Sequence, residues 1–95
     1  MIRSFADKET EKVYKQKFSK KLPVDIQQIA LRKFVLLNNA KSILDLKNPP
    51  ANRLEKLKGN REDQYSIRIN EQWRICFTWN GIDNSAYNVE IVDYH

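Results

Sequence analysis

The stretch Tyr65-Ser66-Ile67-Arg68-Ile69-Asn70-Glu71-Gln72-Trp73-Arg74-Ile75-Cys76-Phe77-Thr78-Trp79 decides the fold of this chain. Large apolar side chains take every second position on both sides of Asn70-Glu71-Gln72, which is the period of a strand with unlike faces. Two such runs joined by three polar residues predict an antiparallel hairpin. The register follows, because a slip of one residue would turn every large side chain to the wrong face. Ile69 then pairs with Trp73, Ile67 with Ile75 and Tyr65 with Phe77. On the other face Arg68 falls opposite Arg74, on the side of the sheet expected to face solvent. Like charges opposed across a strand pair destabilise it unless an anion or carboxylate intervenes. Two readings stay open: an acid on a neighbouring strand, such as Glu90, neutralises the pair, or the two guanidinium forks grip a phosphate. Trp73 and Trp79 alternate with Ile75 and Phe77 and are assigned to the core. Cys76 shares the Arg74 face as a small strand filler.

Working outward, Leu54–Leu57 predicts a strand ended by Gly59-Asn60. Asn80-Gly81 turns the chain, and Tyr87, Val89 and Ile91 open a last strand. At the other end, Ile2-Arg3-Ser4-Phe5 suits a short first strand. Asp7 is a candidate N-cap for a helix through about Phe18, with Glu9 and Glu11 in its first turn and Val13, Tyr14 and Phe18 as its apolar stripe. Pro23 starts a second helix, in which Ile26, Ile29, Ala30, Phe34, Leu37 and Ala40 recur at helical spacing. Ser42 caps a short turn through Leu46, and Asn48-Pro49-Pro50 closes the helical half. Helices in one half and hairpins in the other read as a single α+β domain over residues 1–95. Two N-terminal helices pack on one face of a mainly antiparallel sheet.

A chain of 95 residues buries roughly 65% of its unfolded surface, enough for one modest core and too little for two ordinary domains. No apolar run is long enough to span a bilayer. Met1 is followed by Arg3, Asp7, Lys8 and Glu9 without an apolar stretch, so no secretory signal is expected. One cysteine excludes an internal disulfide framework and fits a reducing compartment. One histidine and one cysteine make no zinc-ligand set, and no acidic cluster points to Mg²⁺. Charge is unevenly placed. Residues 1–61 hold fifteen Lys and Arg against six acids, a local +9, while residues 62–95 hold two against six, a local −4. A solvated basic surface and a polyanion-binding face both fit that asymmetry. Arg68 and Arg74 are the two bases of the acidic half. The C-terminal Asp93-Tyr94-His95 brings a phenol and the chain's single imidazole to a strand end, and an imidazole transfers protons near neutral pH.

Three segments together resemble a known family: Arg53-Leu54-Glu55-Lys56-Leu57-Lys58-Gly59-Asn60-Arg61, the hairpin Tyr65–Phe77, and Val89-Glu90-Ile91-Val92-Asp93-Tyr94-His95. With the opening Met1-Ile2-Arg3-Ser4-Phe5 they are similar, in order and over the whole chain, to the HigB toxins of the RelE superfamily, the plasmid maintenance killer proteins. The resemblance implies the small RelE-like toxin fold and a bacterial, cytoplasmic type II toxin–antitoxin system. It implies a toxin that enters the 70S ribosomal A site and cleaves mRNA there. Its implied partner is a HigA-like antitoxin with a helix-turn-helix domain, through which alone the complex meets operator DNA. By position, Lys58 and Arg74 match the family's active-site lysine and arginine, and Asp93, Tyr94 and His95 its C-terminal catalytic segment. Glu55 stands where some relatives carry a histidine.

Metal-independent RNA cleavage, with no cofactor, requires a deprotonated 2′-hydroxyl, a stabilised phosphorane-like charge and a protonated 5′-oxygen. The product is then a 2′,3′-cyclic phosphate with a 5′-hydroxyl. Arg74, helped by Lys58, is assigned to the charge. His95 is assigned to proton transfer, Tyr94 to orienting it or acting in its place, and Asp93 to orienting either. Glu55 is either a base or a solvated strand carboxylate. Arg53, Lys56, Arg61 and Arg68 are candidate RNA-backbone contacts if they share one basic surface. A noncatalytic nucleic-acid-binding module and a protein-interaction domain are the competing functions. The Tyr94-His95 pair favours the enzyme, because phosphate binding alone needs no proton-transfer group.

Overall fold

A computed structural model describes residues 1–94. Helix α1 spans Lys8–Tyr14 and α2 spans Val24–Asn39. Short 3₁₀ turns at Ile43–Lys47 and Pro50–Asn52 lead into strand β1, Glu55–Lys56. A further turn at Gly59–Arg61 precedes β2 (Gln64–Arg68), β3 (Trp73–Asn80) and β4 (Ser85–Asp93). The strands form one antiparallel sheet in the order β1-β2-β3-β4. The N-terminal segment runs parallel to β4 through single bridges, Ile2 to Ala86 and Phe5 to Val89, so the expected first strand is an edge attachment only.

The hairpin register is the expected one: Tyr65 faces Phe77, Ile67 faces Ile75 and Arg68 faces Arg74. Ile67, Ile75, Phe77, Val89 and Ile91 turn towards the helices, where they meet Val13, Ile26, Ala30, Phe34 and Leu37. Trp73 and Trp79 pack against this core as half-buried rims.

Helix α1 is shorter than expected. Asp7 does cap it, its Oδ1 accepting the Thr10 N–H at 2.7 Å. The helix stops at Tyr14 because Gln16 takes a left-handed conformation, φ 62°. The Gln16 N–H then returns to the Val13 carbonyl and the Lys17 N–H to that of Lys12. These paired bonds satisfy the helix's last acceptors as a glycine terminator would. Phe18 is thereby released from the stripe and lies 60% exposed. A second departure is in β4, which starts at Ser85 and carries a bulge opposite Cys76–Thr78. Asn88 absorbs the extra residue at φ 54°, a conformation asparagine tolerates. Ala86 consequently fills the core and Tyr87 leaves the line of Val89 and Ile91; its hydroxyl donates to Asp83 Oδ2 at 2.5 Å.

Candidate active site

The sheet face turned away from the helices carries Glu55, Ser66, Cys76 and Glu90 in one cross-strand row, then Arg68, Arg74 and Val92 in the next. This face was expected to be open. Instead Leu57, Ser66 and Cys76 are buried, and the Arg53 carbonyl reaches over the face to Arg74. Burial pushes the Cys76 thiol up, so the sulfur stays protonated and serves as a strand filler.

Arg74 is the main correction. It is 7% exposed, not solvent-facing. Its Nε donates to Ser66 Oγ at 2.7 Å, and its Nη2 to the Arg53 carbonyl at 2.6 Å and more weakly to the Ser66 carbonyl at 3.3 Å. A buried guanidinium persists only with such partners. Arg53 delivers its carbonyl from a left-handed conformation, φ 45° and ψ 56°. The remaining nitrogen, Nη1, lies 3.6 Å from a Glu55 carboxylate oxygen. The Tyr94 ring closes the far side, its centroid 5.6 Å from Arg74 Cζ, within cation–π range.

The acid that meets the arginine pair is therefore Glu55 on β1, with Glu71 at 4.0 Å from Arg68. Glu90, the acid expected there, lies in the same row as Glu55 but on β4, and pairs with Arg61 at 3.2 Å. Glu55 is thus neither a purely solvated carboxylate nor a buried base: its side chain is 51% exposed yet reaches Arg74.

An open cleft of about 350 Å³ is lined by Arg53, Glu55, Arg68, Asn70, Glu71, Arg74 and Tyr94. Three of the expected RNA or charge-stabilising arginines and one expected proton-transfer group thus converge. Other candidates lie elsewhere. Lys56 belongs to the helix side of the sheet, its ammonium 4.8 Å from the Tyr65 ring centroid. This contradicts its expected place on a surface shared with Arg53 and Arg68, because adjacent residues of a strand point to opposite faces. Arg61 shares the sheet face but is held by Gln64 and Glu90 and does not line the cleft. Lys58 is exposed at the start of the Gly59–Arg61 turn and does not line the cleft. Asp93 lies at the strand end opposite Trp73 and accepts a hydrogen bond from Gln72 at 3.1 Å. Tyr94 is tied down by its backbone N–H to the Gln72 carbonyl at 2.6 Å, and the residue is 39% exposed. His95 lies outside the described residues.

The sequence reading missed the Arg53 carbonyl, which no side-chain pattern signals. It also missed Ser66 as an anchor, although Ser66 shares the parity of Arg68 and Arg74. Chemically, the cleft holds a guanidinium fixed in plane, two more arginines at its walls and a phenol at its mouth. Guanidinium forks suit an anion of phosphate size, while the Glu55 and Glu71 carboxylates on the same lining oppose one. Among the described residues, no group of three or more His, Cys, Asp or Glu side chains is placed to hold a metal ion, and no helix is long and apolar enough to cross a membrane.

The family described as "HigB-like toxin, RelE-like toxin of type II toxin-antitoxin system HigB" matches residues 3–95. Toxin HigB-1 of Vibrio cholerae serotype O1 is 38% identical over 89 residues, 93% of this chain and 92% of that protein. Endoribonuclease HigB of Proteus vulgaris is 32% identical over 96 residues and the full length of both. Among solved structures, the YoeB–YefM complex from Staphylococcus aureus contains a chain of the same fold. It has a TM-score of 0.58 and 17% identity, over 100% of this chain and 98% of that one. On a match that runs nearly from end to end, this chain belongs to the HigB-like family of RelE-like toxins of type II toxin–antitoxin systems.

Proposed function

We propose that the chain is an endoribonuclease that cuts mRNA on the 70S ribosome by metal-independent attack of the substrate's own 2′-hydroxyl. The observation that carries this reading is the immobilised guanidinium of Arg74 in a cleft shared with Arg53, Arg68 and the Tyr94 phenol. Donors fixed before the reaction stabilise developing charge without reorganising, and each contributes roughly 2.7–4 kcal/mol. Kinship with a protein named endoribonuclease supports the substrate class.

Arg74 takes the phosphorane charge through Nη1, and Arg53 and Arg68 bind the flanking backbone. Tyr94 and the adjoining His95 move the protons, with Asp93 orienting them and Lys58 adding charge from the turn beyond β1. Glu55, 3.6 Å from Arg74 Nη1, takes the 2′-hydroxyl proton in this reading. Arg61, on the same sheet face outside the cleft, extends the basic surface that docks ribosomal RNA, whereas Lys56, on the helix side, does not share it. Ribosome dependence fits a cleft that is small and open, since such a site leaves substrate alignment to an external scaffold. The chain works in the bacterial cytoplasm without a cofactor. It is neutralised by a HigA-like antitoxin whose helix-turn-helix domain carries the complex to operator DNA.

The test is induction in bacteria. Growth and translation should stop, cleaved mRNA should end in 2′,3′-cyclic phosphates, and a co-expressed antitoxin should restore growth. Unimpaired growth and intact mRNA with verified soluble protein would refute the assignment. An intact-mRNA arrest with RNA still bound would favour the noncatalytic binding module.

A further inference from the structure

Among the described residues Asn52 is the one fully buried side-chain amide, and all of its polar atoms are engaged. Its Nδ2 donates to the Leu46 carbonyl at 3.1 Å and the Asn48 carbonyl at 3.2 Å. Its Oδ1 accepts from the Lys33 ammonium of α2 at 2.6 Å. Its backbone N–H donates to the Pro49 carbonyl at 2.9 Å. Partial burial holds the Lys33 ammonium below its usual range, so this end of the network is partly desolvated as well. The next residue is Arg53, whose N–H returns to the Pro50 carbonyl at 3.1 Å and whose own carbonyl meets Arg74 Nη2.

The segment from Leu46 to Arg53 holds only short 3₁₀ turns and no strand, so side-chain bonds rather than a ladder tie it to the rest of the fold. Asn52 supplies three of them. With Nε on Ser66 and Nη2 on Arg53, the guanidinium plane is held at two nitrogens, and the third, Nη1, lies 3.6 Å from Glu55 on the cleft lining. Resting on the reading of this cleft as the cleavage site, we infer that Asn52 is a positioning residue. It fixes the Arg53 carbonyl from outside the cleft and through it aims Arg74 Nη1 at the substrate phosphate. Asn52 itself does not line the cleft.

The experiment compares wild type with Asn52→Ala and Lys33→Met in the full chain. Two readouts are taken below the melting temperature of each variant. The first is hydrogen exchange of the Arg74 Nε–H signal by ¹⁵N NMR, which reports the Ser66 and Arg53 clamp directly. The second is single-turnover mRNA cleavage on programmed ribosomes, as rate constant and half-saturating concentration separately. Asn52→Ala should accelerate Nε–H exchange and lower the cleavage rate constant by roughly 10²-fold, the cost of a small misplacement, with half-saturation within a few-fold of wild type. A folded Asn52→Ala with wild-type Nε–H exchange and rate constant overturns the proposal, as does a loss confined to half-saturation. If Asn52→Ala does not fold, Lys33→Met decides by the same two signs, because it frees Oδ1 and loosens the same anchor. If wild type itself does not cleave, the cleavage reading fails, while the Nε–H comparison still decides whether Asn52 positions Arg74.

Discussion

Arg74→Ala is expected to weaken the fold as well as the chemistry, and the structure sets the size of the effect. The substitution leaves Ser66 Oγ and the Arg53 carbonyl without their donor in a region where Arg74 itself was 7% exposed. Leaving these two acceptors unsatisfied costs about 1–3 kcal/mol each, about 2–6 kcal/mol together. The Glu55 contact adds little, because a pair with one half-exposed member contributes about 0–1 kcal/mol. At about 4–8 °C per kcal/mol for a domain of this size, melting should fall by roughly 8–48 °C. Arg74→Lys should melt between wild type and Arg74→Ala, since an ammonium keeps the charge but not the fork that meets two separate acceptors. The assay is thermal and denaturant unfolding, followed by cleavage at a temperature where each variant is folded. A melting point for Arg74→Ala within about 4 °C of wild type, under about 1 kcal/mol, would refute the clamp. The guanidinium would then be solvated, as the strand alternation by itself suggests.

Other outcomes follow from the same structure. Glu55→Gln should change stability by less than about 1 kcal/mol. It should also tighten binding of inorganic phosphate measured by titration calorimetry, because it removes the carboxylate facing Nη1; unchanged or weaker phosphate binding would contradict that placement. Ile75→Ala should cost about 2–5 kcal/mol in urea unfolding, as Ile75 is fully buried in the core between sheet and helices. The Ser19 hydroxyl, donating to Glu9 Oε1 at 2.6 Å, is the main cause that holds the Glu9 carboxyl below the usual carboxylate range. A depressed carboxylate stabilises the fold above its unfolded value, and that stability is lost as pH falls through the folded value. Ser19→Ala should therefore flatten the acid side of a melting-temperature profile, and an unaltered profile would show that the bond is not formed in solution.

Much of this architecture is legible in the sequence where alternation or helical spacing is strong. The Tyr65–Trp79 hairpin was readable to the residue pair because only one register buries all its large side chains. Helix α2 was readable from Ile26 to Ala40. The end of α1 was not, because Gln16 reaches a left-handed conformation without the glycine that would announce it. The β4 bulge at Asn88 was hidden for the same reason, so Tyr87 was grouped with Val89 and Ile91. At the site, parity put Arg68 and Arg74 on one face. Parity says nothing of what meets a face, and here the Arg53 carbonyl and the Glu55 carboxylate meet Arg74. Hence the burial of Arg74, the part played by the Arg53 carbonyl and the anchoring by Asn52 emerged only in three dimensions. Glu55 was noticed as a departure from relatives, but its pairing with Arg74 needed β1 in register with β2.

The most direct test of the central claim is single-turnover cleavage of one defined mRNA by the purified chain, with the RNA either free or held on programmed ribosomes, and with metal chelated in a parallel set. The account predicts fast cleavage on the ribosome, far slower cleavage of the free RNA, 2′,3′-cyclic phosphate ends, and no dependence on a metal bound by the toxin. Equal rates on free and ribosome-held RNA would contradict ribosome dependence. No cleavage of either by folded protein would contradict the claim that this arginine-lined cleft is a catalytic site.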